Sequence, residues 1–255
     1  ATGADGRLRL TQVWRQVFSI ADEYKRSQDV PMTAKRSSKL NEPKIAEVLM
    51  RLHERAEAHD AKVIPEVLVA AGERGATTDR EMADLLAGAF MPIHPNAGRL
   101  LHLLAISRPA GRIIEFGTSH GLSTIYLASA GGPEELPVIT TEMEVSKIDL
   151  ARANFEDAGL ADRIDLRVGD AFDTLADLSE GVSFLFLDGW KGLYLPLLRA
   201  LEPRLVPGAV VVADDTLLLP DLCADYLDYV HGATESYVSV GLPIDDGLEV
   251  SVFLG

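Results

Sequence analysis

Five short apolar runs, separated by segments with helical periodicity, occupy the chain after Pro109. The runs are apolar almost throughout rather than alternating with polar residues, which indicates strands that are buried on both faces. Because a helical segment separates each strand from the next, we expect a parallel sheet with helices on both of its faces. The runs are residues 112–116, 137–142, 163–168, 183–188 and 208–214.

The two ends of the chain extend this plan. Residues 233–240 and 248–253 are joined by the turn-rich segment GLPIDDG and predict a closing pair of strands, at least one of them antiparallel. Before the sheet, apolar spacing predicts a helix that starts after Pro43 and a further helix near 62–72. We therefore predict a doubly wound α/β sheet (residues 61–255) with a helical N-terminal extension (residues 1–60).

Charge and cysteine content exclude several classes of protein. The formal net charge is −15, so a nucleic-acid backbone or an anionic membrane surface would repel the chain, and neither is an expected partner. The single cysteine, Cys223, excludes a disulfide framework and a cysteine-rich metal site. No apolar stretch approaches the length of a membrane span, and no secretory signal precedes the sheet, which predicts a cytoplasmic protein.

The turn after the first strand predicts a ligand with positive charge. Gly117 and Gly121 have a G-x-x-x-G spacing, unlike the G-x-G-x-x-G that lets a backbone approach a dinucleotide diphosphate. Glu115 would repel a diphosphate, yet it suits an ammonium or sulfonium group. The Ser119 and Ser123 hydroxyls at the following helix start suit a carboxylate. These features together fit S-adenosylmethionine, although the glycines alone could simply form a tight turn.

Acidic residues also end the second and third strands. An acid at the tip of a second strand is placed to bind ribose hydroxyls, which is the role we expect for Glu142. Asp170 is placed to accept a hydrogen bond from an adenine amino group. Either acid could instead be a helix cap. The order of these groups along successive strand ends favours nucleoside binding.

Three aspartates follow the fourth and fifth strands, namely Asp188, Asp214 and Asp215. Neighbouring strand ends bring them within reach of one point, where unneutralised carboxylates would repel each other. Oxygen ligands of this kind suit Mg²⁺ or a similar hard divalent cation. Lys191 lies close to this cluster, where a dication would destabilise its ammonium form and let it act as a general base. The alternatives are that the aspartates cap helices and that Lys191 is an exposed residue at a helix start.

Four segments resemble the catechol and caffeoyl-CoA type of metal-dependent O-methyltransferases: DGWKGLYLP, ADDT, EFGTSHGLS and DGLEVSVF, within residues 88–255. The resemblance implies a class I methyltransferase sheet of seven strands with the last one antiparallel, S-adenosylmethionine as donor and Mg²⁺ as metal. It also implies that Asp188, Asp214 and Asp215 are metal ligands and that Lys191 is the catalytic lysine. The family usually has Asn where this chain has Asp215, a change that could alter the choice of metal or its use.

The resemblance further implies that Met91 and Ile93 line the cofactor and that Ser123 holds its methionine carboxylate. The complete expected cofactor-binding set is Met91, Ile93, Glu115, Gly117, Ser119, Gly121, Ser123, Glu142, Met143, Asp170, Ala171 and Asp188.

The leading hypothesis is a metal-dependent O-methyltransferase that acts on a small catechol-like or vicinal-diol acceptor. A metal-independent O- or N-methyltransferase and a non-catalytic nucleoside-binding protein remain alternatives, whereas the glycine spacing and Glu115 disfavour a NAD-dependent dehydrogenase. Residues 1–60 have a formal charge of +2 against −17 for the rest of the chain. We expect this segment to form a homodimer interface, with its basic loop 25–44 over an active site.

Overall fold

A computed structural model describes residues 37–75, 81, 85, 86, 88–132, 135–179 and 181–255. Residues 37–255 form one compact unit around a seven-stranded sheet of order β3-β2-β1-β4-β5-β7-β6. Strands β1 to β5 pair in parallel, and β7 is antiparallel to both β5 and β6. This arrangement confirms the predicted doubly wound sheet. The strands are β1 Arg112–Phe116, β2 Val138–Glu142, β3 Ile164–Val168, β4 Val182–Leu187, β5 Leu205–Ala213, β6 Tyr237–Leu242 and β7 Leu248–Phe253.

The described helices start where the sequence supplies suitable first residues. Pro43, Pro95 and Pro220 each begin a helix, at a position whose N–H would have no helical partner. None of these helices is long and apolar enough to cross a membrane. They are α1 Pro43–Arg74, α2 Pro95–Ser107, α3 Leu122–Ala128, α4 Val145–Ala158, α5 Ala171–Thr174, α6 Tyr194–Leu201 and α7 Pro220–Gly232.

Helix α1 is a single helix of 32 residues, where the sequence predicted two. It continues through Pro65 and ends before Gly75, whose φ of 64° places it in the left-handed region. The domain boundary predicted between residues 60 and 61 falls inside this helix and stays a prediction. The predicted first helix and residues 25–36 of the basic loop lie outside the described residues.

Alternating side chains of the central strands build a core on each face of the sheet. On β4, Phe184 and Phe186 pack with helices α1 to α4, whereas Leu185 and Leu187 pack with α5 to α7. All four side chains are fully buried, and burial of each contributes about 1.5–3 kcal/mol relative to exposure. Two-sided burial explains why the strands read as continuous apolar runs.

Strand register aligns the ends at which ligands bind in such sheets. Phe116 at the end of β1 pairs with Thr141 of β2 and with Leu187 of β4, and Leu187 pairs with Ala213 of β5. The residues that follow these positions therefore lie along one edge of the sheet.

Candidate active site

The turn after β1 requires glycine at two positions. Gly117 has a φ of 102°, and a Cβ atom there would collide with the backbone of Asp188. Gly121 has a φ of 85°, and a Cβ atom there would collide with the ring of Phe155. The turn therefore packs directly against the residue that follows β4, which brings the predicted cofactor turn next to the acidic cluster.

Glu115 is fully buried beneath this turn. Its Oε2 atom accepts hydrogen bonds from the hydroxyls of Thr124 and Thr140, the latter at 2.6 Å. Its Oε1 atom is buried without a hydrogen-bond partner among the described residues. Burial raises the pKa of the Glu115 carboxyl to about 7, although both threonine hydroxyls and the nearby Ser123 hydroxyl oppose the shift. An acceptor oxygen without a partner fits a cofactor that brings its own ammonium group.

Glu142 and Asp170 bind backbone N–H groups. Glu142 accepts from the N–H of Ser119 at 2.7 Å, and also from those of Met143 and Glu144. Asp170 caps helix α5 by accepting from the N–H of Phe172 at 2.8 Å. Met143 is exposed and Ala171 is buried. Asp170 thus has the capping role that the sequence analysis gave as an alternative. The nucleoside-binding roles of Glu142 and Asp170 stay predictions.

One pocket brings together residues that the sequence predicted from three separate segments. Its lining includes the predicted residues Met91, Ile93, Ser119, Ser123 and Asp188. The lining also includes Leu52 of α1, so helix α1 contributes to this pocket. Because Asp188 belongs both to this lining and to the acidic cluster, the two predicted sites are adjacent.

Lys191 lies among the aspartates that follow β4 and β5. Its Nζ atom is 2.6 Å from Asp215 Oδ2 and 3.6 Å from Asp188 Oδ1, and it donates to the Tyr194 hydroxyl at 2.7 Å. The N–H of Asp215 donates to Asp214 Oδ1 at 2.9 Å, which places the third carboxylate beside the pair. The structure therefore brings all four predicted residues into one cluster.

The charges in this cluster shift each other's pKa. Burial raises the pKa of Asp214 to about 7, with a further contribution from Asp215. Burial and Asp214 raise the pKa of Asp188 well above its usual range. Burial alone would lower the pKa of Lys191, but Asp188 and Asp215 outweigh it and raise that pKa. In this arrangement Lys191 is an ammonium group that neutralises part of the acidic cluster.

The oxygen donors of this cluster fit a hard divalent cation in their chemistry. Within the described ranges, however, no group of three or more His, Cys, Asp or Glu side chains is arranged to hold a metal ion. The Lys191 ammonium instead contacts two of the three carboxylates. A cation bound here would have to share those carboxylates with Lys191 or displace it.

Two charged residues near the pocket have no recognisable sequence signal. Asp60 of helix α1 accepts hydrogen bonds from the N–H groups of Phe90 and Met91. Lys147 on α4 is buried, with its Nζ atom 3.4 Å from Ser119 Oγ. Burial lowers the pKa of Lys147, while Glu142 and Glu144 oppose the shift. A single Asp or Lys within a helix reads as solvated surface, so only the fold could identify them.

The chain is similar to known methyltransferases. A family model described as a methyltransferase domain matches residues 114–216. The catechol O-methyltransferase of Mycobacterium tuberculosis is 37% identical over 121 residues, which cover 47% of this chain and 54% of that protein. The chain therefore spans little more than half the length of this curated relative.

Solved structures show the same fold. The O-methyltransferase TomG from Streptomyces achromogenes, involved in tomaymycin synthesis and solved in complex with SAM, has a TM-score of 0.59 at 28% identity. The match covers 65% of this chain and 82% of TomG. The O-methyltransferase from Bacillus cereus, solved in complex with SAH, has a TM-score of 0.56 at 21% identity, with 78% of this chain and 97% of that chain covered.

Proposed function

We propose that this chain is a member of the catechol and caffeoyl-CoA type of class I O-methyltransferases. In this proposal it transfers a methyl group from S-adenosylmethionine to a hydroxyl of a small catechol-like or vicinal-diol acceptor. The observation that supports this proposal is that Asp188 belongs to two neighbouring sites. Asp188 lines the predicted cofactor pocket and lies 3.6 Å from Lys191 in the acidic cluster. A methyl donor in the pocket would therefore face an acceptor oxygen bound at the cluster, as in-line transfer requires.

In this proposal the donor binds along the edge formed by β1, β2 and β3. The Oε1 atom of Glu115 would accept a hydrogen bond from the cofactor ammonium, and the Ser119 and Ser123 hydroxyls would bind its carboxylate. Glu142 would bind the ribose with the acceptor capacity that its oxygens keep beyond their backbone hydrogen bonds. Asp170 would bind the adenine with the oxygen that does not cap α5. Met91 and Ile93 would pack against the cofactor from the opposite side.

We further propose that Asp188, Asp214 and Asp215 hold Mg²⁺. A phenol with a pKa near 10 is only about 0.1% ionised at pH 7, an offset of roughly 4 kcal/mol. When bound, Mg²⁺ would supply Lewis-acid stabilisation of the hydroxyl's oxyanion. With Asp188 and Asp215 engaged as ligands, Lys191 would lose the attraction that keeps it protonated. Its buried amine would then accept the proton of the acceptor hydroxyl.

One observation favours the metal-independent alternative. The ion pair of Lys191 and Asp215, at 2.6 Å, already supplies the cluster with a cation. In that alternative the Lys191 ammonium would itself stabilise the oxyanion, and one of the aspartates would take the proton. We also propose that the protein forms a homodimer and that loop 25–44 lies over an active site. The proposal further includes a cytoplasmic location and no nucleic-acid or membrane partner.

Methyl transfer from labelled S-adenosylmethionine to a panel of catechols tests these alternatives. We expect transfer by the wild type, with loss of transfer both in EDTA and in Asp188→Ala. Asp221→Ala removes an exposed aspartate from the first turn of α7 and is the matched control, with activity unchanged. Transfer that resists EDTA but not Asp188→Ala would favour the metal-independent enzyme. Binding of the cofactor without transfer to any acceptor would favour the non-catalytic protein.

A further inference from the structure

The segment Phe90–Ile93 forms one wall of the predicted cofactor pocket. Within it, Met91 has a φ of 45°, a left-handed conformation that costs energy for a residue with a side chain. Such a conformation persists only where surrounding contacts determine it. The residue that follows this segment is held by Asp245, which accepts from the N–H of His94 at 2.6 Å.

Asp60 of helix α1 holds the near end of the same segment. Its Oδ1 atom accepts from the N–H of Phe90 at 2.9 Å, and its Oδ2 atom accepts from the N–H of Met91 at 2.7 Å. Asp60 is 7% exposed, so water does not compete strongly for these bonds. Two hydrogen bonds from consecutive N–H groups to one carboxylate fix the backbone at the strained residue.

The ring of Phe90 is held by neighbours of Asp60 on α1 and by the glycine turn. The Arg55 guanidinium lies 5.2 Å from the ring centre, and His59 meets the ring edge-on at a centroid distance of 4.9 Å. His120 of the glycine turn stacks on the ring at 4.0 Å. One face of α1 therefore binds both the backbone and the side chain of this segment, and the segment in turn contacts the turn that follows β1.

We propose that Asp60 is a positioning residue for cofactor binding, which acts by holding Met91 and Ile93 in the conformation that forms the pocket wall. This inference rests on the proposed function. Without the Asp60 carboxylate, the strained conformation of Met91 would be one of several that the segment populates. The dissociation constant of the cofactor then rises by the inverse of the fraction that remains competent.

Asp60→Asn tests this role with little change of volume. The substitution places an NH₂ group against one of two backbone N–H donors, and we expect the dissociation constant of S-adenosylhomocysteine, measured by calorimetry, to rise about tenfold. Asp60→Ala, which removes both acceptors, is expected to weaken binding at least as much. Asp157→Asn is the matched control, because Asp157 of α4 forms an exposed ion pair with Arg51 of α1, the helix that carries Asp60. We expect no change in its binding.

Amide hydrogen exchange supplies a measurement that does not depend on the ligand. In the free protein, the amides of Phe90 and Met91 are expected to exchange faster in Asp60→Asn, while Asp157→Asn leaves them unchanged. An unchanged dissociation constant in both Asp60 variants, with only a lower melting temperature, would show a structural role and overturn the inference while the proposed function stands. A wild type that binds neither S-adenosylmethionine nor S-adenosylhomocysteine would overturn the proposed function, and this inference with it.

Discussion

The Nζ atom of Lys191 lies 2.6 Å from Oδ2 of Asp215. At position 215, the family that this chain resembles usually has Asn. Lys191 is almost fully buried, and Asp215 is partly exposed. The pair thus joins the proposed catalytic base to a proposed metal ligand. An Asn at position 215 would leave the lysine without its closest counter-ion. The identity of residue 215 therefore bears on how strongly Lys191 competes with a metal ion.

Lys191→Met should strengthen Mg²⁺ binding. The substitution keeps much of the side-chain volume but removes a positive charge, and two unit charges 4 Å apart interact with about 4 kcal/mol in a partly buried site. We expect the dissociation constant for Mg²⁺ in titration calorimetry to fall at least about tenfold. Lys147→Met, which removes another buried lysine at the same edge of the sheet, is the control and should change affinity much less. Equal or weaker Mg²⁺ binding by Lys191→Met would contradict the idea that the Lys191 ammonium competes with Mg²⁺ for the carboxylates.

Asp215→Asn should be more stable than Asp215→Ala. Asp215 has a φ of 62°, and asparagine and aspartate tolerate this left-handed region better than alanine does. Both variants lose the ion pair with Lys191, so the difference between them reports the backbone preference together with the hydrogen bond that an amide oxygen can accept from Lys191. We expect a difference of about 1 kcal/mol in the free energy of unfolding in urea. Equal unfolding free energies would show that the conformation of residue 215 does not limit its identity.

The sequence predicted the sheet because burial on both faces leaves a visible pattern. The apolar runs around Ile113 and Phe184 coincide with β1 and β4, and β7, the last strand of the closing pair, is antiparallel to β5 as predicted. Helix α1 was less predictable: the sequence predicted one helix after Pro43 and a further helix near 62–72, yet a single helix runs through both segments and through Pro65. Local propensity at one residue is outweighed by the rest of a long helix.

Without the family resemblance, the candidate site was predictable only where its residues follow strands. Asp188 and Asp214 follow neighbouring parallel strands, and the pairing of those strands brings them together. Asp60 approaches Met91 across 31 positions, and nothing in its local sequence marks it. The contact between Lys191 and Asp215 also depends on a side-chain conformation, which the spacing of the residues does not fix.

Gly117→Ala should destabilise the fold and weaken cofactor binding together. A φ of 102° is strained for alanine, and its Cβ atom would displace the backbone of Asp188. We expect a loss of about 3 kcal/mol in the free energy of unfolding, with weaker binding of S-adenosylhomocysteine. Gly72→Ala is the control, since that helical position has open space for a Cβ atom, and it should stabilise α1 by about 0.5–1 kcal/mol. A tolerated Gly117→Ala would show that the turn can move away from β4.

Glu115→Gln should flatten the pH dependence of stability in the free protein. The pKa of the Glu115 carboxyl rises from 4.5 to about 7 on folding, so between these values the folded state binds more protons than the unfolded chain. The contribution of this group to stability is complete below pH 4.5 and is lost as pH rises toward about 7. The full loss is of the order of 3 kcal/mol.

Between pH 5 and 8, the wild type should therefore lose about 2–3 kcal/mol of unfolding free energy relative to Glu115→Gln. Urea denaturation across this range measures the difference, with Glu156→Gln on exposed α4 surface as the control that follows the wild type. Parallel pH profiles for wild type and Glu115→Gln would show that Glu115 is ionised in the fold. The buried oxygen would then already carry the negative charge that the proposed ammonium contact requires.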